Sequence, residues 1–567
     1  MGNLGILLLL FIPAYFLYSL HASLHSAKQR QAEADRHFGT VFEHSQEDMD
    51  ALHAQWEAQK MPDRHEVDDI TWNDLDMNLV FHRVNACLTT PGEEQLYNRM
   101  RVLNGVEDDW EPLITALELN PELRLHIQSL LIRVGKSSDS GLPNLLRHPD
   151  EYRLPQAIIY RIAAFMPFFA ACLVLLPGMA GVGFVALVPV LLLNLVLYLR
   201  STKMLQGKLH TIRYVKALIW LAKKLAKVSN SGLDSLLNNV RTAAVPFAKL
   251  RDAFSAAAQE GAAAGDMAAF MMFGQVFFLT EIRAYNRVMK AISKHTKELD
   301  ALYKTIGRLD VLISTLSLRK SLSHYCLPLF HDQISLETED IVHPLVENCV
   351  PNSASFQRGV LLTGSNASGK STFIKAFAIN AILAQSVNTC TAVSFALPRA
   401  KVISSMALRD NLSCGESYFV VEVKSFCRML QAVDQSPCLC FVDEILRGTN
   451  TIERIAASAA VLKSLQTANS LCVAATHDIE LTALLSSQYD NYHFKEELKD
   501  KGIIFDYHLR EGPSNTRNAL LLLGVYDFAP DVVHQASTMV KTFEQMHHWI
   551  TPGKAEGGDT SAPAQIR

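Results

Sequence analysis

The sequence has little net charge and no pairing pattern among its cysteines. Its 567 residues carry 53 Lys and Arg against 57 Asp and Glu, a formal charge of −4. Nucleic-acid binding normally rests on a concentrated basic surface, so any such contact must be local. The 10 cysteines are scattered and lack paired metal-ligand spacing. They indicate buried thiols in a reducing compartment, and not disulfides or zinc ligands.

Charge is also absent from a stretch at the start of the chain. Leu4–Leu20 carries no charged residue and falls at the short end of the length that a helix needs to cross a bilayer. No Lys or Arg precedes it, and Pro13 and the bulky aromatic residues suit a retained span. We expect a membrane anchor over residues 1–24, with a cleaved signal peptide as the alternative.

A second uncharged stretch is long enough for two spans. Residues 162–199 are interrupted at Pro177, Gly178 and Gly181, which favour a turn. A soluble buried hairpin is the alternative, but so long an uncharged tract is hard to cover within a soluble domain. We predict a transmembrane helical hairpin over residues 161–200.

Basic residues flank the two stretches asymmetrically. None occurs in Met1–Asn3, whereas the other flanks contain Lys28, Arg30, Arg153, Arg161, Arg200, Lys203 and Lys208. Cytoplasmic flanks of membrane spans collect Lys and Arg. We therefore expect a multi-pass membrane protein with about three spans, its N-terminus outside and its C-terminal domain in the cytoplasm.

The region after the hairpin is basic and then apolar. From Ser201 to Leu250, nine Lys and Arg face the single acidic residue Asp234, a cluster typical of contact with anionic lipid headgroups, with nucleic acid as the weaker alternative. Met267–Thr280 is apolar but short and contains Gln275, which favours a core helix over a fourth span.

The most specific motif is a glycine-rich loop. GVLLTGSNASGKST, from Gly359 to Thr372, has a strand pattern, then Gly-x-x-x-x-Gly-Lys-Ser, then a helix-like pattern. Glycines let main-chain N–H groups converge on phosphates at a helix N-terminus. Lys370 would bridge the β- and γ-phosphates, and Ser371 would ligate Mg²⁺. The predicted ATP site comprises Gly364, Ser365, Asn366, Ala367, Ser368, Gly369, Lys370, Ser371 and Thr372.

Two further strand patterns end in polar residues. CLCFVDE ends with Asp443 and Glu444, and phosphoryl transfer needs charge neutralisation and an in-line nucleophile. We assign Asp443 to the Mg²⁺ shell and Glu444 to orienting and deprotonating the attacking water. SLCVAATHD places His477 where an imidazole would contact the γ-phosphate or the water. The sequence thus predicts an ATP hydrolase that uses Mg²⁺, with Glu444 and His477 as its catalytic residues.

At these residues the chain resembles the MutS family of mismatch-repair ATPases. The resemblance extends to IVHPLVENCVPNS (341–353), to DNLSCGESYFVVEV (410–423), which is similar to the family's signature segment, and to DEILRGTNT (443–451). DITWNDLDMNLVFHRVNACLTTPGEEQLYNRMR (69–101) and IGRLDVLISTLS (306–317) resemble the two halves of its helical core and lever.

The resemblance implies a homodimer through the ATPase domain. In the family a serine of the signature segment reaches the γ-phosphate bound by the partner subunit, and Ser417 occupies that place. Leu446 stands where glycine is usual, and no Phe-x-Glu reading motif occurs in the N-terminal part. We therefore expect the chain to lack the mismatch-binding domain.

The expected architecture is multidomain, an α-helical core and lever with transmembrane helices followed by a C-terminal α/β P-loop ATPase domain of the MutS type. The expected segments are the anchor (1–24), a cytoplasmic helical region (25–160), the hairpin (161–200), a helical core and lever (201–330), the ATPase domain (331–548) and a disordered tail (549–567).

Three functions are compatible with this organisation. The first is an ATP-driven conformational switch in a membrane-anchored dimer, which follows from the trans-acting segment beside a hydrolytic set. The second is a mismatch-repair-type protein that binds DNA while tethered to the membrane. The third is an ABC-type transporter component, because LSCGE (412–416) resembles that superfamily's signature.

Overall fold

The computed structural model describes most of the chain between residues 28 and 546. The described residues are 28–36, 38–40, 46–58, 60, 65–137, 141–155, 157–250, 274–365, 368–406, 418–499, 502–514 and 528–546. The predicted anchor, the predicted tail, and Asn366, Ala367 and Ser417 lie outside them.

The described residues form two units. The first, here called the helical unit, lies within Met1–Val67, Asp76–Leu327 and Ile382–Cys390. The second, the α/β unit, lies within Asp68–Leu75, Pro328–Ala381 and Thr391–Arg567.

Helices make up most of the described residues before Leu322. In chain order they are α1 (Gln46–Glu57), α2 (Asp69–Asp74), α3 (Met77–Val84), α4 (Thr90–Arg101), α5 (Trp110–Glu118), α6 (Pro121–Val134), α7 (Leu142–Arg147), α8 (Ala157–Val174), α9 (Ala180–Leu225), α10 (Asp234–Ala244), α11 (Thr280–Lys294) and α12 (Thr296–Ser321). All except α2 belong to the helical unit.

The long helix α12 packs closely on α4. A Cβ on Gly307 would lie 2.6 Å from a backbone oxygen of α4, and one on Gly92 would lie 2.3 Å from the carboxylate of Asp310. Asp310 is fully buried and accepts hydrogen bonds from the N–H of Leu88 at 3.0 Å and from the N–H and hydroxyl of Thr89 at 2.8 and 2.6 Å. Asp310 therefore satisfies donors at the start of α4 that have no partner within that helix.

A buried ion pair lies at the end of α12. The guanidinium of Arg319, 4% exposed, donates two hydrogen bonds to the carboxylate of Glu111 at 2.7 and 2.8 Å. It also donates to the carbonyl of Asn388 and the hydroxyl of Thr389, both at 2.9 Å. Its charge is thus paired and its hydrogen bonds are largely satisfied, as a buried arginine requires.

Helices α8 and α9 form an apolar hairpin. Pro149–Val174 and Ala180–Leu205 are long and apolar enough to cross a membrane by length and composition, with mean hydropathies of 2.0 and 2.5. Their large side chains face outward, and Leu175 and Val185 are 83% and 76% exposed. Helix α9 continues to Leu225, beyond residue 200 where the sequence pattern placed the end of the hairpin.

Asn194 is a polar side chain that is buried in the hairpin. Asn194 donates to the carbonyl of Ala163 in α8 at 3.0 Å and to that of Phe277 at 2.6 Å. Phe277 lies in the helical residues 274–278, part of the Met267–Thr280 segment that the sequence predicts as a core helix. Asn194 therefore joins three chain segments by hydrogen bonds in apolar surroundings.

The rest of the chain alternates strands and helices. The strands are β1 (Leu329–His331), β2 (Leu336–Ile341), β3 (Asn352–Phe356), β4 (Gly359–Thr363), β5 (Ser394–Pro398), β6 (Lys401–Ser405), β7 (Cys438–Asp443), β8 (Ser470–Ala475), β9 (Tyr489–Lys499) and β10 (Gly502–Glu511). The helices are α13 (Lys370–Val387), α14 (Tyr418–Gln435), α15 (Thr451–Leu465), α16 (Glu480–Leu484) and α17 (Pro530–Met546).

The strands form two sheets. The smaller is mixed, with the order β1-β5-β2-β3, and the larger has the order β10-β9-β4-β8-β7-β6. From β9 to β6 the neighbouring strands of the larger sheet are parallel, and β10 is antiparallel to β9. Every residue of β4, β7 and β8 is buried, as expected for central strands of a parallel sheet. The predicted helical N-terminal region and C-terminal α/β domain are confirmed.

Helix α2 covers the edge strand β6 of the larger sheet. The carboxylate of Asp74 accepts hydrogen bonds from the Ser404 hydroxyl at 2.7 Å and the Met406 N–H at 2.9 Å, and the Thr71 hydroxyl accepts from the Ser404 N–H at 3.1 Å. The sequence-based boundaries place this segment in the helical region 25–160, but the structure packs it in the α/β unit. The physical reason is that an edge strand leaves backbone donors that need partners.

Candidate functional site

Three parallel strands bring the predicted site residues to one edge of the larger sheet. Strand β8 lies between β4 and β7, and its Ala475 is in register with Leu362 and Asp443. The segments that follow these strands therefore meet at their carboxyl ends. They carry the glycine loop (residues 364–369) after β4, Glu444 after β7 and His477 after β8.

The glycine loop requires its two described glycines. Gly364 has φ 141° and Gly369 has φ 102°, conformations that side-chain-bearing residues rarely adopt. Lys370 begins α13, is 5% exposed, and its ammonium donates to the carbonyl oxygens of Gly364 at 2.8 Å and Ser365 at 2.7 Å. The loop thus curls around a buried positive charge at a helix N-terminus, where anions are favoured.

Two buried oxygen atoms at this edge fit a bound cation and a polar ligand. Oδ1 of Asp443 and Oγ of Ser368 have no hydrogen-bond partner among the described residues. A buried carboxylate oxygen without a donor is costly unless a cation approaches it. Mg²⁺ takes oxygen ligands, and Asp443 together with the exposed Ser371 on the first turn of α13 supplies that chemistry.

Glu444 is held between the side chains of His477 and Arg447. Its carboxylate accepts a hydrogen bond from Nε2 of His477 at 2.8 Å and forms an ion pair with Arg447. Burial raises the pKa of Glu444, but the hydrogen bond from His477 and the charges of His477, Arg447 and Lys370 outweigh it, so the pKa falls below its usual 4.5. Glu444 is therefore ionised at neutral pH, the form that a general base needs.

A cavity of about 460 Å³ adjoins the glycine loop, within the range of small-molecule sites. Its lining includes the polar side chains of Ser368, Lys370, Ser371, Thr372 and Glu444. It also includes the apolar and aromatic side chains of Val350, Phe494 and Tyr507. The cavity therefore offers both polar groups and aromatic side chains to a ligand.

Asn352 sets the position of Tyr507. Its amide nitrogen donates to the Tyr507 carbonyl at 2.9 Å, and its amide oxygen accepts from the N–H of Leu509 at 2.7 Å. These bonds bridge an irregularity in β10 where Tyr507 has φ 55°. Neither residue was predicted as part of the site. Asn352 lies in the segment 341–353 that resembles the MutS family, but a single sequence does not show that it meets Tyr507.

Comparison with known proteins agrees with this geometry. Residues 360–544, which contain the glycine loop, Asp443, Glu444 and His477, match the model of MutS domain V. This part of the chain is therefore similar to domain V of the MutS family. Three DNA mismatch repair proteins named MutS are similar to it, from Pseudothermotoga lettingae (30% identical over 269 residues), Streptococcus thermophilus (27% over 277) and Bacillus licheniformis (26% over 302).

The similarity covers part of each protein. It spans 45%, 47% and 51% of this chain in the three comparisons, and 33%, 32% and 33% of the relatives. The chain thus corresponds to about a third of the length of the MutS proteins that it matches.

Proposed function

We propose that this chain is a membrane-anchored MutS-like ATPase that binds and hydrolyses ATP in a dimer and thereby drives a conformational switch. The observation that carries the proposal is the meeting of the glycine loop, Asp443, Glu444 and His477 at one edge of the larger sheet. Such an edge combines phosphate-binding amides, an ammonium group, a cation ligand and a general base, which are the parts that phosphoryl transfer requires.

Each residue has a role in hydrolysis. The main-chain N–H groups of the glycine loop and Lys370 bind the β- and γ-phosphates, while Ser371 and Asp443 hold Mg²⁺, which neutralises phosphate charge when bound. Glu444, ionised and beside the cavity, accepts the proton of the attacking water. His477 orients the Glu444 carboxylate through their hydrogen bond, and in the proposed mechanism it would contact the γ-phosphate or the attacking water.

The aromatic lining of the cavity suits a purine base. Tyr507 lies beside Gly369, because a Cβ on that glycine would lie 3.0 Å from the Tyr507 ring. Stacking of a base on an aromatic ring contributes about 1–3 kcal/mol. With the phosphates on the glycine loop and the base against an aromatic side chain such as Tyr507, the cavity would hold a nucleoside triphosphate.

Dimer formation follows from the family resemblance. Ser417 would reach the γ-phosphate bound by the other subunit, so the two sites would close around ATP and reopen after hydrolysis. A nucleotide shifts such an equilibrium only through different contacts in its triphosphate and diphosphate forms, and a serine that contacts the γ-phosphate supplies that difference. Helix α17 also exposes Val532 and Met539, which suits a further contact between copies.

The activity is tested on the purified full chain. Wild type should bind Mg²⁺-ATP and hydrolyse it. Lys370→Ala should abolish binding, whereas Glu444→Gln should retain binding, form ATP-dependent dimers that persist, and lose turnover. Lys463→Ala, an exposed lysine on α15, is the matched control. Hydrolysis that is unchanged by Glu444→Gln would contradict the proposed mechanism.

Membrane insertion of the hairpin is the second part of the proposal. Its outward apolar side chains would be costly in water and fit lipid, and the basic residues around it predict a cytoplasmic α/β unit. Two native cysteines provide the test, because Cys172 in the hairpin and Cys427 in α14 are both exposed. In sealed vesicles with the α/β unit outward, a polar maleimide should label Cys427 and leave Cys172 unlabelled until the protein is denatured. Labelling of both would contradict insertion.

A second candidate function is supported by the names of the relatives. All three are DNA mismatch repair proteins, so a membrane-tethered protein that binds DNA is the alternative. Paired and mismatched duplexes should be compared for binding and for stimulation of ATP hydrolysis at several salt concentrations. Salt-sensitive binding would favour this alternative, and its absence for both duplexes would exclude it.

A further inference from the structure

Helix α14 contacts the loop that carries Glu444. The side chain of Glu422, in the second turn of α14, is buried, and its Oε1 accepts a hydrogen bond from the N–H of Leu446 at 2.6 Å. Phe419 packs on the same loop, since a Cβ on Gly448 would lie 3.1 Å from the Phe419 Cβ. The first two turns of α14 and residues 444–448 therefore form one packed block.

This loop needs external support. Glu444 has φ 53° and Leu446 has φ 54°, and each left-handed residue other than glycine costs about 1–2 kcal/mol. Such conformations persist only where the surroundings hold them in place. Leu446 is buried in the core of the α/β unit, which anchors its side chain. Its backbone N–H is held by the hydrogen bond to Glu422.

The environment of Glu422 fits a positioning role better than a purely stabilising one. Burial raises the pKa of Glu422, while hydrogen bonds from the backbone N–H groups of Leu446 and Arg447 lower it. Its Oε2 has no hydrogen-bond partner in the part of the chain that the structure describes. A buried carboxyl group that lacks some of its hydrogen bonds contributes little to the stability of the fold. The presence of Glu422 next to the loop of Glu444 therefore needs another explanation.

We propose that Glu422 is a positioning residue for Glu444 of the same chain: by holding the backbone of residues 444–448, it aims the Glu444 carboxylate at the cavity and the glycine loop. Helix α14 begins at Tyr418, directly after Ser417. The helix that follows the predicted trans-acting serine thus also supports the predicted catalytic base of its own subunit. The proposal rests on the proposed ATPase function.

The first test separates turnover from binding. Glu422→Ala should lower kcat by about 30-fold, because a misaimed base loses most of its contribution, and should leave the affinity for a non-hydrolysable ATP analogue within about threefold of wild type. Glu422→Gln keeps one acceptor oxygen for the loop and should recover kcat to within about fivefold of wild type. Asp434→Asn, exposed at the far end of α14, is the matched control and should match wild type.

The second test decides which subunit Glu422 serves. A heterodimer of one Glu422→Ala chain and one Ser417→Ala chain is purified with two affinity tags. One of its sites combines an intact Glu422 and Glu444 with the Ser417 of the other chain, so about half of the wild-type turnover should remain if Glu422 acts on its own Glu444. If Glu422 acted instead through Ser417, both sites would be defective and the heterodimer would be inactive.

Three results would overturn the proposal. They are a normal kcat in Glu422→Ala, a loss of analogue binding that parallels the loss of turnover in both Glu422 variants, and an inactive heterodimer. Failure of the proposed ATPase function gives a different result from these three, because the wild-type chain and Asp434→Asn would then show no hydrolysis. In that case the role proposed for Glu422 would also be refuted.

Discussion

Replacing Asp310 with Asn should remove a pH dependence of stability from the helical unit. Burial raises the pKa of Asp310 to about 6 from its usual 3.8, despite hydrogen bonds from Thr89 and Leu88 that lower it. The folded state therefore binds this proton more tightly than the unfolded chain. Where the folded state holds more protons, stability falls as pH rises, so the contribution of Asp310 declines from about pH 4 to about pH 6 and is constant above.

The magnitude follows from the shift. One pH unit of differential protonation corresponds to about 1.4 kcal/mol. At about pH 5 the solution is one pH unit below the folded-state pKa of Asp310, so the folded state holds the proton and the unfolded chain mostly does not. Acidification from about pH 7.5 to about pH 5 should therefore stabilise the folded state by about 1.4 kcal/mol through this group. For a unit of this size the gain corresponds to about 3 °C in the unfolding midpoint.

The assay compares unfolding midpoints of the full chain and the Asp310→Asn variant across that pH range. Tryptophan fluorescence is a suitable signal, because Trp110 is buried in the same unit. The variant also loses part of the hydrogen bonding at the start of α4, which lowers its midpoint by a constant amount. Only the difference in slope is therefore diagnostic, and parallel curves for the two proteins would refute the reasoning.

Four further substitutions have defined outcomes. Glu94→Gln should remove a second pH dependence of the same sign at higher pH, because burial raises the Glu94 pKa to about 7, and a variant that keeps the wild-type slope would argue against it. Arg319→Met leaves Glu111 without its buried partner and should lower the free energy of unfolding by about 3 kcal/mol. An unchanged denaturation midpoint would contradict this stabilising role of the ion pair. Leu446→Gly relieves about 1 kcal/mol of backbone strain but removes a buried leucine side chain that contributes about 3 kcal/mol. Its thermal unfolding midpoint should therefore fall, and a higher midpoint would show that the strain outweighs the burial. Asn194→Leu should release residues 274–278 from the hairpin and increase their proteolysis in detergent, whereas unchanged cleavage would show that apolar packing alone holds them.

The motifs of the α/β unit could be predicted from the sequence because each is formed by residues that are close together in the chain. The glycine loop, Asp443 and His477 each directly follow a run of buried residues, and the strand periodicity places their side chains at strand ends. Their convergence also follows, because parallel strands present their carboxyl ends to the same edge. The helical form of the hairpin was equally predictable, since its uncharged tract is interrupted by Pro177, Gly178 and Gly181, which favour a turn.

Local sequence patterns did not predict every feature of the fold. The sequence-based boundaries placed helix α2 in the helical region 25–160, but it packs on β6 in the α/β unit. Its placement depends on contacts with residues far away in the chain, such as those of Asp74 with Ser404 and Met406.

The sequence by itself determined the chemistry that we propose for this chain, because the ability of a group to bind phosphate, hold a cation or accept a proton belongs to residue types in short, ordered patterns. The tertiary structure alone decided how these groups are supported. Glu422 holds the loop of Glu444, Asn352 places Tyr507, and Asp310 caps a helix more than 200 residues earlier in the chain. Such pairings arise only when folding brings distant segments within hydrogen-bond distance, and no periodicity or spacing along one chain records them.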